Sequence, residues 1–176
     1  MKRLLTLTIL IAIITGCSSY DNISTQRSQS SQQDSTPNLY EQGASGKIGS
    51  FSFSVEKAIE TQEYGNKVTE NKYVILTVQA TNISKEPATV SSNLFVLIDD
   101  QDRQYSADNL GILSFDDKSL SFEEINPGLS KTGLLAFEAP KDAKNFILGA
   151  RDNIFDFGGA EYIFFKLDLE EQHVSE

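Results

Sequence analysis

The sequence has 176 residues, with 15 Lys and Arg against 25 Asp and Glu, one His and one Cys. That length suits one domain of about 100–150 residues with additional segments. The net charge of -10 argues against nucleic-acid binding, because phosphates would repel an acidic surface. One Cys excludes a disulfide framework and any Cys-rich zinc site. The single His, His173 near the end of the chain, leaves no Ser–His or multi-His metal chemistry.

The first seventeen residues carry the pattern of an export signal. Two basic residues precede an apolar run from Leu4 to Ile14, which is shorter than the roughly 20 residues needed to span a bilayer. Ile14-Thr15-Gly16-Cys17 then resembles the bacterial lipobox, in which the Cys is joined to diacylglycerol and the chain is cut before it. We therefore expect residues 1–16 to be a lipoprotein signal peptide and Cys17 to be lipidated. The alternatives are a secretory signal cut elsewhere and an uncleaved N-terminal anchor.

A lipid on Cys17 would place the protein at the cell membrane with its domain outside the cytoplasm. Each buried CH₂ of a diacyl anchor contributes about 0.8 kcal/mol, so two chains hold the protein without a spanning helix. Ser18 follows the Cys. In Gram-negative lipoproteins, a Ser rather than an Asp after the lipidated Cys favours the outer membrane, and this resemblance would place the protein there in such a cell.

Residues 17–45 differ in composition from the rest of the chain. Eight Ser and five Gln lie between positions 18 and 45, and no period of a helix or strand is found there. Such a composition is typical of disorder. We predict that this segment is a flexible tether that spans about 30 Å and carries the lipid at its first residue.

From Gly46 the sequence alternates between apolar and polar residues, which predicts half-buried β-strands. No amphipathic helix or internal repeat is found. The pattern predicts an all-β, immunoglobulin-like two-sheet antiparallel sandwich of about seven strands over residues 46–170, followed by an acidic tail at 171–176. The predicted core includes Leu76, Val78, Phe137 and Phe165. The predicted strands are Phe51–Glu56, Tyr73–Ala80, Leu94–Ile98, Phe122–Ile125, Thr132–Glu138, Phe146–Leu148 and Tyr162–Leu169.

Several strand ends and turns resemble a known family. They are Tyr73-Val74-Ile75-Leu76-Thr77-Val78, Thr81-Asn82-Ile83-Ser84, Ile125-Asn126-Pro127-Gly128 and Gly133-Leu134-Leu135-Ala136-Phe137-Glu138-Ala139-Pro140. Together they are similar to the immunoglobulin-like domain of uncharacterised function in bacterial secreted lipoproteins, a family related in description to a mycobacterial immunoprotective extracellular antigen. The resemblance covers about residues 46–170 and implies the fold and the location. It implies no activity and no catalytic residues.

Three short motifs match those of penicillin-binding proteins and serine β-lactamases. They are Ser54-Val55-Glu56-Lys57, Ser91-Ser92-Asn93 and Lys131-Thr132-Gly133. That chemistry needs the Ser one helical turn from its Lys. On an alternating strand, residues three apart point to opposite faces, so we expect Ser54 and Lys57 to be separated. We predict no catalytic residues and no enzyme.

Acidic pairs such as Asp100 and Asp102 suggest a Ca²⁺ loop, but EF-hand spacing is absent and a solvated turn explains them better. The mature chain has no Met and one His, which excludes a chaperone for soft metals. We therefore predict no metal and no cofactor.

Phe155 and Phe157 lie beside Gly158-Gly159 and are the candidate binding residues, since aromatic pairs on loops often anchor a ligand. The alternative is that both rings fill one end of the core.

The sequence thus predicts a membrane-anchored envelope lipoprotein that binds an envelope or extracellular protein or ligand and no nucleic acid. The alternatives are an envelope hydrolase with a Ser/Lys or two-carboxylate site and a structural subunit of an envelope assembly.

Overall fold

A computed structural model describes residues 38–64, 67–108, 119–153 and 161–171. These residues form twelve strands and one short 3-10 helix, Ser92–Leu94. No helix in these ranges is long and apolar enough to cross a membrane. The strands are β1 (Leu39–Tyr40), β2 (Ser45–Ile48), β3 (Phe51–Tyr64), β4 (Lys67–Asn82), β5 (Ala88–Val90), β6 (Phe95–Ile98), β7 (Gln104–Ser106), β8 (Glu123–Ile125), β9 (Ser130–Ala139), β10 (Ile147–Ala150), β11 (Ile163–Lys166) and β12 (Leu169–Glu171).

Two five-stranded sheets make up the domain. The first has the order β1-β11-β10-β6-β7, and the second has the order β12-β3-β4-β9 with β2 also paired to β3. Strands β5 and β8 form a small separate ladder. Most neighbours are antiparallel, but β1 runs parallel to β11 and β12 runs parallel to β3.

The two sheets enclose one hydrophobic core. Phe53 of the second sheet meets Phe95 of the first edge to face, with ring centroids 5.0 Å apart. The predicted core residues are all fully buried: Leu76, Val78, Phe137 and Phe165. The prediction of an all-β, immunoglobulin-like two-sheet sandwich is confirmed.

The number of strands exceeds the predicted seven because several are only two to four residues long. Strand β1 and the first residue of β2 lie in the stretch predicted as the tether, so the sandwich starts before Gly46. Leu39 and Tyr40 carry no local strand pattern. They are extended because they pair with Phe164 and Phe165, which is a tertiary contact.

The strand predicted over Tyr162–Leu169 is two strands in different sheets. Strand β11 pairs with β10 in the first sheet, and β12 pairs with β3 in the second. Both sheets face the same core, so the alternation of Ile163, Phe165 and Leu167 continues while the chain crosses between them.

Asn82 holds one end of the sandwich together. Its buried amide donates to the backbone oxygens of Glu86 and Ile125, and its Oδ1 accepts from the backbone N–H and the hydroxyl of Ser84. The backbone of Asn82 also pairs with Gly128 and Leu129. The Thr81–Ser84 and Ile125–Gly128 motifs therefore meet as one structural unit.

Candidate functional site

A cavity of about 470 Å³ opens beside β6 and β7. Small-molecule sites commonly have volumes of about 300–1,000 Å³. Its described polar lining consists of Asn93, Gln104, Ser106, Arg151 and Tyr162, and Val96 lies among its apolar lining residues. No acidic residue is among the nine described residues that line it. We take this cavity as the candidate functional site.

Strand alternation places Val96, Gln104 and Ser106 on the outer face of the first sheet. Phe95 and Leu97 are buried in the core, so Val96 between them points to the other face and is half-buried. Strand β7 is paired so that Ser106 lies opposite Val96 and Gln104 lies opposite Ile98. Gln104 and Ser106 are both exposed.

Gly149 gives the aromatic side of the site its shape. It pairs with Val96 on one side and with Phe164 on the other. A Cβ at this position would lie 2.9 Å from Val96 Cγ1, 3.3 Å from Tyr162 Cδ1 and 3.4 Å from Phe164 Cε1. The two rings stack with centroids 5.9 Å apart. Tyr162 therefore rests over the bare glycine backbone and forms one wall of the cavity.

Arg151 supplies the positive charge of the site. Its backbone N–H donates to the carbonyl of Leu94 at 3.0 Å, which fixes the residue where β10 ends. Its Nη2 donates to the carbonyl of Asn93 at 3.2 Å. Among the described residues, no carboxylate lies within 4.0 Å of this guanidinium. The remaining N–H groups of Arg151 can therefore serve a ligand.

The binding residues predicted from the sequence, Phe155 and Phe157, lie outside the described residues, as do Cys17 and His173. The described residues on either side of that segment include Arg151 and Tyr162, which both line the cavity. The sequence alone does not single out either residue. A lone Arg followed eleven positions later by a Tyr has no recognisable motif, and their proximity comes from the pairing of β10 with β11.

Each of the motifs that resemble those of serine β-lactamases has a side chain held by a structural contact. A bulge at Glu56 shifts the alternation of β3, so Ser54 and Lys57 lie on the same face, opposite Gln79 and Thr77. The expectation that they point to opposite faces is therefore wrong. Lys57 Nζ is nevertheless 3.0 Å from Glu170 Oε2 and forms an ion pair with it.

The other members of these motifs also have structural partners. Ser91 is buried, and its hydroxyl accepts from the backbone N–H of Asn93 as the cap of the 3-10 helix. Lys131 Nζ lies 3.6 Å from Glu123 Oε2. These contacts hold each group in a local structural role.

Among the described residues, the two buried charged side chains, Lys72 and Asp99, both have ion-pair partners. Lys72 Nζ is 2.7 Å from Glu60 Oε1 and donates to the carbonyl of Ala143. Asp99, whose side chain is fully buried, accepts from Arg103 Nε, the Tyr105 hydroxyl and two backbone N–H groups. Burial alone would raise the pKa of the Asp99 carboxyl, but these hydrogen bonds outweigh it and lower the pKa to about 2.

The Asp100 and Asp102 turn has no metal-binding cluster. In the part of the chain that the structure describes, no group of three or more His, Cys, Asp or Glu side chains could hold a metal ion. Asp100 Oδ2 instead accepts from Asn145 Nδ2 at 3.2 Å. This hydrogen bond joins the turn to the loop that precedes β10.

Solved structures of bacterial proteins share this fold at low sequence identity. The yjhA protein of Bacillus subtilis is 20% identical, with a TM-score of 0.56, and the match covers 73% of this chain and 99% of that chain. A protein of the same organism described as "a putative lipoprotein (ycdA)" is 19% identical, with a TM-score of 0.56 over 70% of this chain and 38% of that one. A functionally unknown protein from Listeria monocytogenes is 14% identical, with a TM-score of 0.54 over 72% and 82% of the two chains.

These likenesses show the fold alone. No match is found among curated proteins. No enzymatic family is indicated. The family described as "Domain of unknown function (DUF4352)" matches residues 40–160, which is more than half of the sequence. The chain therefore belongs to the DUF4352 family.

Proposed function

We propose that this protein is a lipid-anchored binding module of the bacterial envelope, joined to the membrane through Cys17 and without catalytic activity. The domain faces outside the cytoplasm, and its partner is an envelope or extracellular protein or ligand. The observation that carries the binding role is the cavity beside Arg151, which brings a cation, an amide, a hydroxyl and an aromatic ring together. A concave cavity in which several polar groups converge is a common form of ligand site.

The location rests on the leader. The only Cys of the chain stands directly after Ile14-Thr15-Gly16, where lipoprotein processing needs it. The ycdA protein, which has the same fold, also has a lipoprotein description. Two acyl chains would make the attachment stable.

The contacts of Lys57 and Ser91 favour binding over the hydrolase alternative. A Ser nucleophile needs a base within hydrogen-bond distance. Lys57 is ion-paired with Glu170, and Ser91 is occupied as a helix cap. Neither group is placed to activate a hydroxyl.

Metabolic labelling with an alkyne fatty acid tests the anchor. The wild-type chain should incorporate the label and lose residues 1–16, and Cys17→Ser should lose both because no other thiol exists. Ser19→Ala is the matched control and should be labelled normally. Label that persists on Cys17→Ser would contradict the anchor.

The non-enzymatic part has its own test. Incubation of the purified protein with a fluorescent β-lactam should leave no covalent adduct. An adduct that disappears in Ser54→Ala would show that the hydrolase alternative is correct.

A further inference from the structure

We infer that the cavity beside Arg151 binds a ligand with a single carboxylate attached to a planar or apolar body. This inference rests on the proposed binding function and names the ligand class for that site. The guanidinium of Arg151 would receive the carboxylate, and Tyr162 with Val96 would contact the body of the ligand.

The charge distribution supports an anion. The chain carries 25 acidic residues against 15 basic ones, yet the nine described lining residues include Arg151 and no acid. Arg151 also has no carboxylate partner within 4.0 Å among the described residues. An Arg guanidinium can bind a carboxylate through two parallel charge-assisted hydrogen bonds.

The neighbouring polar groups fit a carboxylate as well. Gln104 and Ser106 are exposed at the cavity, and neither side chain has a hydrogen bond to another described residue. The amide N–H of Gln104 and the hydroxyl of Ser106 can both donate. The site can therefore offer donors from two sides.

A monoanion fits better than a dianion such as phosphate. One guanidinium neutralises one negative charge, and a second charge would face the field of a chain with a net charge of -10. Tyr162, which lies over Gly149, and Val96 add an aromatic and an aliphatic surface beside these polar groups. These surfaces can bury the apolar part of a ligand.

Fluorine NMR with 4-fluorobenzoate tests this inference on the full-length chain in a neutral detergent. At low salt, we expect saturable line broadening with a Kd on the order of millimolar, as for other small fragments. The neutral isostere 4-fluorobenzamide should bind at least about tenfold more weakly, because it lacks the charge-assisted hydrogen bonds.

Two charge-matched variants locate the site. Arg151→Gln should weaken 4-fluorobenzoate binding about tenfold. Lys144 is exposed and precedes β10, whereas Arg151 follows that strand. Lys144→Gln should therefore leave 4-fluorobenzoate binding within about twofold, because the charge that it removes lies beyond the other end of β10 and is screened by solvent. Arg151→Lys keeps the positive charge but cannot form the two parallel hydrogen bonds of a guanidinium. Its affinity for 4-fluorobenzoate should therefore lie between those of the wild type and Arg151→Gln.

Each other outcome overturns the inference. Equal binding of 4-fluorobenzoate and 4-fluorobenzamide would show that the charge is not recognised. An equal loss of 4-fluorobenzoate affinity in Arg151→Gln and Lys144→Gln would show only that the overall charge of the protein affects binding. If inorganic phosphate displaced 4-fluorobenzoate at a lower concentration than acetate does, at equal ionic strength, the site would prefer a dianion and the inferred monoanion would be wrong. A lipidated chain that captures an envelope partner but ignores 4-fluorobenzoate would overturn this inference and leave the proposed function standing.

Discussion

The side-chain amide of Asn82 donates a hydrogen bond to the carbonyl of Ile125 across 2.7 Å, which joins the end of β4 to the end of β8. Asn82 is fully buried and satisfies its amide with three further hydrogen bonds, to Glu86 and Ser84. A buried polar group with this many partners specifies one arrangement of the surrounding loops. The Asn and the Asn-Pro-Gly turn thus have structural roles.

Asn82→Ala should destabilise the domain by about 2–4 kcal/mol, because it leaves the buried carbonyl of Ile125 without its donor. Urea unfolding followed by circular dichroism measures this loss. Asn71→Ala is the control, since Asn71 makes one exposed hydrogen bond to Glu138 and should cost below about 0.5 kcal/mol. Equal losses at the two positions would contradict the role of Asn82.

Asp99→Asn should lower the melting temperature at neutral pH and have little effect near pH 2. The unfolded carboxyl has its ordinary pKa of 3.8, whereas the folded pKa is about 2. Its stabilisation is therefore complete above the unfolded value and is lost as the pH falls through about 2. Thermal melts from pH 7 down to pH 2.5 should show the wild type converging on the variant.

Asp102→Asn is the matched control for Asp99. Asp102 lies in the same turn and is exposed, and Asn also tolerates its positive φ of 59°. Its melting temperature should follow that of the wild type over the whole pH range. A constant difference between Asp99→Asn and the wild type down to pH 2.5 would show that the Asp99 charge is not the cause.

Gly149→Ala should cost about 1–3 kcal/mol, because its Cβ would lie 2.9 Å from Val96 Cγ1 and force the packing to shift. Removing the obstructing methyl groups in the double variant with Val96→Ala should recover part of that loss. Unfolding free energies of the two single variants and the double variant complete the cycle. Strictly additive losses would mean that the contact at Val96 is not the constraint.

Tyr40→Ala tests whether the sandwich starts before Gly46. The Tyr40 ring lies 5.5 Å from that of Phe165 and packs against the backbone of Gly46. Its loss should cost about 1–3 kcal/mol. Leu39→Ala, at a neighbouring side chain that is 52% exposed, should cost less than about 0.5 kcal/mol. If Tyr40→Ala caused no loss of stability, this segment would belong to the tether and not to the folded sandwich.

The local pattern of the sequence was sufficient for the fold class and for much of the core. Phe51, Phe53 and Val55 alternate with polar residues, and Leu76 and Val78 do the same in the next strand. Alternation is a local property, since the side chains of a strand point to opposite faces in turn. The same logic located Phe137 and Phe165, which are fully buried.

Alternation failed where tertiary contacts determine the structure. The bulge at Glu56 places Ser54 and Lys57 on one face of β3. No residue type in that stretch predicts a bulge. Strand β1 exists because it pairs with β11, far away in the sequence. The crossing from β11 to β12 changes sheet without any break in the apolar pattern, because both sheets bury the same face.

The sequence by itself determined the lipobox-like leader and the all-β pattern, since both are written in neighbouring residues. Only the tertiary structure decided which side chains share a cavity. Arg151 and Tyr162 come together because β10 and β11 pair, and Gln104 and Ser106 join them because β7 pairs with β6. Sheet register brings these distant residues together, and register depends on the packing of the whole core.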